Sequence, residues 1–80
     1  MTKRFLKMKT TLEITIETHQ AFSKSVGGNY QNAVTMLESA MKGDNLHSDI
    51  ALIVEKHFDN AKLVGGNFEE FLTILRNFIQ

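Results

Sequence analysis

The three imidazoles, His19, His47 and His57, are the first candidates for chemistry, because imidazole binds metals and titrates near neutral pH. His19 and His57 occupy matching places in the two halves of the chain, which invites a pseudo-symmetric metal site or a pH switch. No His-x3-His spacing or acidic pair shares an obvious face with them, and there is no Cys to complete a thiolate site. They therefore read as helix-surface or interface histidines, and no cofactor is expected. Ser23, Ser25, Ser39 and Ser48 stand in no nucleophile-elbow context, and no paired carboxylates sit where a cleft is implied. The two Gly-Gly-Asn triplets lack the Gly-x4-Gly-Lys pattern that cradles nucleotide phosphates. The expectation is a protein that is not an enzyme.

Charge is the more informative chemistry. Nine basic and nine acidic side chains cancel, yet they are not mixed evenly. Residues 1–43 carry six cations and three anions, and residues 44–80 carry three cations and six anions. The first twelve residues hold Lys3, Arg4, Lys7 and Lys9 and no acid. Such asymmetry hints at a nucleic-acid or membrane contact by the basic half, while the plainer reading of the basic start is a solvated, frayed terminus.

Eighty residues suit one small domain, and 42% hydrophobic content is enough for a core and too much for a disordered tail. With no disulfide to add, stability has to come from packing, within the chain or shared with a second copy. No apolar run nears the ~18 residues needed to span a bilayer, and no signal-peptide stretch follows the basic start, so a cytoplasmic protein is expected.

Lys7 to Glu17 alternates, with Met8, Thr10, Leu12, Ile14 and Ile16 on one face and Lys7, Lys9, Thr11, Glu13, Thr15 and Glu17 on the other. Period two with many β-branched residues predicts a half-buried strand, although Leu12, Ile16 and His19 would also meet on a helix. Thr18 to Val26 predicts a short helix, and Gly27-Gly28-Asn29 predicts a glycine cap followed by an Asn N-cap. A longer helix from Tyr30 to Met41 follows, with Gly43 as its stop.

The second half repeats the first at an offset of 38 residues. Val26-Gly27-Gly28-Asn29-Tyr30 returns as Val64-Gly65-Gly66-Asn67-Phe68, and Glu17, His19, Lys24, Thr35 and Leu37 return as Glu55, His57, Lys62, Thr73 and Leu75. Each unit is too small to bury its own apolar face, so the two must pack together. Ile50 to Val54 is apolar on both faces and reads either as the second copy's strand or as part of a longer helix with His57, Phe58 and Ala61. Tyr30, Phe68, Phe71 and Phe78 fall at helical spacing and are expected in the core.

Lys9-Thr10-Thr11-Leu12-Glu13-Ile14, the helix up to Val26, the Gly27-Gly28-Asn29 turn and the Asn32-Ala33-Val34 to Met41 helix resemble a ribbon-helix-helix unit of the MetJ/Arc class. The resemblance covers about 35 residues and implies a mainly α fold with a short β ribbon, residues 10–16 pairing antiparallel with residues 49–54 in a single-chain pseudo-dimer. It divides the chain into a unit at 1–43 with a basic arm, and a degenerate copy or helical oligomerisation or partner-binding tail at 44–80. An all-α four-helix protein is the alternative.

The resemblance implies a double-stranded DNA-binding transcriptional regulator whose ribbon enters the major groove. Lys7, Lys9, Thr11 and Glu13 would face outward; Lys9 suits guanine O6 or N7, and Glu13 suits a cytosine amino group. The Asn29 and Tyr30 amides would clamp a phosphate with Lys24 nearby, and Lys3 and Arg4 would lie on the DNA backbone. On the second copy the outward positions would be His47, Asp49, Ala51 and Ile53, acid and apolar surface where a DNA reader needs donors. That favours a second expectation, a protein-interaction module of antitoxin or phage-inhibitor type with a protein partner at residues 44–80. A homodimer is compatible with either.

Overall fold

The computed structural model describes the backbone of residues 2–80 and the side chains of residues 10–80. It contains four helices, α1 (Thr2–Val26), α2 (Gly28–Lys42), α3 (Leu46–Val64) and α4 (Gly66–Ile79), and no strand among the described residues. The predicted ribbon is corrected: residues 10–16 and 49–54 are helical, and the four-helix alternative is the observed fold.

The reason lies in which residues α1 buries. Its inward stripe is Leu12, Thr15, His19 and Ser23, spaced three and four apart, while Ile14 remains 57% exposed. Three of those four buried residues are polar, so a hydrophobicity pattern does not mark the stripe. Each finds a partner: within α1 the Thr15 hydroxyl donates to the Thr11 carbonyl at 2.8 Å and the Ser23 hydroxyl donates to the Gln20 carbonyl at 2.9 Å, and across to α2 His19 bonds the Tyr30 hydroxyl. The alternation of Leu12, Ile14 and Ile16 is not a burial pattern, because Ile14 points away from the core.

Repeat-related positions share the same environment. Leu12 and Ile50, Thr15 and Ile53, His19 and His57, Ser23 and Ala61 are buried in pairs along α1 and α3. So are Tyr30 and Phe68, Ala33 and Phe71, Val34 and Leu72, Leu37 and Leu75 along α2 and α4. The turns match as closely. Gly27 has φ 74° and ψ −161°, Gly65 has φ 73° and ψ −163°, and Gly28 and Gly66 have φ 58° and 59°. Residues with a Cβ are strained there, which is why glycine stands at all four positions. The N-cap of α2 is Gly27, without a side-chain bond, and Asn29 lies inside the helix.

Each hairpin folds back on itself, α2 packs on α3 across residues 43–45, and α4 packs on α1. The rings of Tyr30 and Phe68 stack at 5.1 Å and 15°. Equivalent residues meet where a two-fold axis passes, so this stack marks the pseudo-two-fold axis relating the hairpins. Leu12, Leu37, Ile50, Ile53, Phe71, Leu72 and Leu75 complete one shared core.

Candidate functional site

The chemically richest cluster is at the axis. His19, 2% exposed, shares a hydrogen bond with the Tyr30 hydroxyl, and its ring lies 5.1 Å from Phe71 and 6.5 Å, edge-on, from Phe22. Burial lowers the His19 pKa below 6.5, opposed by the nearby Glu70 carboxylate. Burial also raises the Tyr30 pKa to about 12, assisted by Glu70. The pair is therefore neutral at pH 7 and buried in the core.

Its counterpart is built differently. Phe68 has no hydroxyl, and His57 Nδ1–H donates instead to the Ile53 carbonyl at 3.1 Å, which requires the proton on Nδ1. Both histidines are core residues, not the surface or interface groups expected from sequence. No group of three or more His, Asp or Glu able to hold a metal occurs among the described residues.

The residues expected to read DNA are not brought together as a ribbon face. Lys3, Arg4, Lys7 and Lys9 lie in the first turns of α1, with side chains outside the described residues. Thr11 and Glu13 are exposed on the same helix, and Lys24 is exposed in its last turn, about 16 Å along the axis from Glu13 at 1.5 Å per residue. Asn29 is exposed and its side-chain Nδ2 donates to Asn60 Oδ1 at 3.1 Å. Tyr30 is 1% exposed and belongs to the core, as do Phe68 and Phe71, with Phe78 partly buried. Ile53, expected on an outward strand face, is also core, because α3 turns it inward together with Ile50 and His57.

Among the described residues, two lateral grooves stand out. One, about 280 Å³, runs between α2 and α3 over Met36, Ala40, Leu52 and Ile53, with Asp49 at its edge. The repeat counterpart of Ala40 is Phe78, so the groove lies where the second half carries a ring. The other, about 670 Å³, runs between α1 and α2 over Ile14, Ile16 and Met41, rimmed by Glu13, Glu17, Glu38 and Lys42. Gln20 crosses its end and donates to Glu38 at 3.2 Å. At the matching place between α3 and α4 the counterparts of Gln20 and Glu38 are Phe58 and Arg76, and the guanidinium sits 4.7 Å from the ring centroid. Ile14, Gln20, Glu38 and Met41 carry no motif. Comparing each residue with its partner 38 positions away is the signal that would have found them.

Fold and grooves define a class: an all-helical tandem of two αα-hairpins, closed around one axis, with apolar grooves on its flanks. The chain matches no protein-family model, no curated protein and no solved structure. No described helix is long and apolar enough to cross a membrane.

Proposed function

We propose that this protein is a small interaction module that binds another protein through apolar side chains on its flanks. The observation that carries the reading is a display repeated in both halves. Ile14 and Leu52, related by the repeat, are 57% and 59% exposed, and Val26 and Val64 are 64% and 58% exposed. A single exposed apolar residue is ordinary on a monomer. The same register left apolar and uncovered in both hairpins supports a role outside the core, since burying each such side chain is worth roughly 1.5–3 kcal/mol. Capture from cell extract on the immobilised chain should recover a protein in stoichiometric amount, and the Ile14→Gln/Leu52→Gln variant should not recover it. Equal recovery by both, or no protein with either from a chain that is itself monomeric, removes the reading.

A second reading keeps DNA as the partner and drops the ribbon. The four cations and no acid in the first twelve residues favour contact with the phosphate backbone of a duplex. Binding would then weaken steeply with salt, by roughly 0.9 in log–log slope for each phosphate neutralised. Absence of binding to mixed duplex at ~50 mM salt removes it, given the non-specific affinities usual for DNA-binding proteins.

A further inference from the structure

The α1–α2 groove and its counterpart differ in a way that specifies an occupant. Between α3 and α4 the chain fills the place itself, with the Phe58 ring against the core and cations over it, Arg76 at 4.7 Å and Lys62 at 5.5 Å. Between α1 and α2 the ring and the guanidinium are replaced by Gln20 and Glu38, and Ile14, Ile16 and Met41 are left along an open channel. Among the described residues, three carboxylates, Glu13, Glu17 and Glu38, stand around it against one ammonium, Lys42. A ligand restoring what the other hairpin has would bring an aromatic or aliphatic side chain flanked by cations.

The chain contains such a segment. Residues 1–9 place Phe5, Leu6 and Met8 among Lys3, Arg4, Lys7 and Lys9, with no acid. Resting on the interaction reading above, we propose that the groove between α1 and α2 receives the basic N-terminal segment of a second copy of this chain, and that the exchange is reciprocal in a homodimer. Apolar side chains of the segment lie over Ile14, Ile16 and Met41, and its cations pair with Glu13 and Glu17 at the rim. Such pairs at a partly solvated edge give orientation and salt sensitivity, while the apolar contacts carry the affinity.

A charge swap tests this on the full-length chain. At roughly 0.1 mM, where a micromolar complex is saturated, sedimentation equilibrium should give the mass of two chains. Glu13→Lys/Glu17→Lys, at exposed positions, and separately Lys3→Glu/Arg4→Glu/Lys7→Glu, should each raise Kd about a hundredfold through like-charge juxtaposition. An equimolar mixture of the two variants should recover a heterodimer, because each restores the opposite charges the other lost. Circular dichroism of each variant verifies that the helices are intact, and raising salt toward 1 M, where the screening length falls to ~3 Å, should weaken the wild-type dimer independently of any substitution. A monomeric wild type, a dimer indifferent to both variants, or no recovery on mixing overturns the proposal. A monomer that still captures a protein through Ile14 and Leu52 overturns this proposal alone and leaves the interaction reading standing.

Discussion

The two hairpins share a backbone plan and divide the work of packing unequally. At the repeat-related pairs of α2 and α4, the first hairpin supplies Ala33 and Val34 and the second supplies Phe71 and Leu72. The Phe71 ring crosses to within 5.1 Å of His19 and 6.1 Å of Tyr30, and Ala33 has no ring to send back. Polar bonds concentrate in the first hairpin, at Thr15, Ser23 and the His19–Tyr30 pair, where the second has Ile53, Ala61 and a histidine bonded to its own helix. The two repeats are thus specialised: one half provides the bulk of the core, and the other provides most of its side-chain hydrogen bonds and the α1–α2 groove.

Truncating the bulkier half should break this most. Phe71→Ala should lose about 3–5 kcal/mol in urea unfolding, since the cavity opens against both hairpins at once. Gly27→Ala and Gly65→Ala should each cost about 1–3 kcal/mol and by similar amounts. Open space surrounds a Cβ at both positions, so the penalty is conformational alone. Markedly unequal losses would show that the matching turns bear different loads.

The histidine–tyrosine pair makes the comparison a matter of pH. Because the folded His19 pKa lies below 6.5, the unfolded chain binds more protons in acid, and His19 should lower stability as pH falls below 6.5. Because the Tyr30 pKa is raised to about 12 from 10.0, the unfolded chain releases its proton first, and stability should fall as pH rises above 10.0. Tyr30→Phe should abolish that alkaline contribution while costing only about 1 kcal/mol, provided His19 turns to the Thr15 carbonyl as His57 does to Ile53. A loss near 3 kcal/mol would mean that the imidazole is left without a partner. The smallest effect is expected from Gln20→Phe with Glu38→Arg, which gives the first hairpin the lacing of the second: a gain of about 0.5–1 kcal/mol in thermal or urea unfolding.

Much of this organisation was legible in the chain itself. The repeat, the glycine turns, the helix after each turn and the aromatic residues Tyr30, Phe68 and Phe71 are read from spacing, and their places in the structure follow. What misled was α1. Leu12, Ile14 and Ile16 alternate as a strand would, and the true buried stripe runs through Thr15, His19 and Ser23, residue types that announce surface. The repeat held the correction: Ile50, Ile53, His57 and Ala61 trace a helical stripe, and moving it back 38 positions lands on Leu12, Thr15, His19 and Ser23. The grooves were not legible, because an open channel depends on what two helices leave unfilled between them.

Sequence by itself determined two units, their register and their turns, since glycines at positive φ and periodic burial are local properties of the chain. Tertiary structure decided between the strand and helix readings of α1 and showed that its polar residues lie inside. Thr15 and Ser23 can be buried because nearby carbonyls accept their hydroxyls, and His19 because α2 brings Tyr30 to it. A buried polar group is stable only with a partner in place. For His19 that partner lies in another helix, so only the packed hairpin brings it within reach.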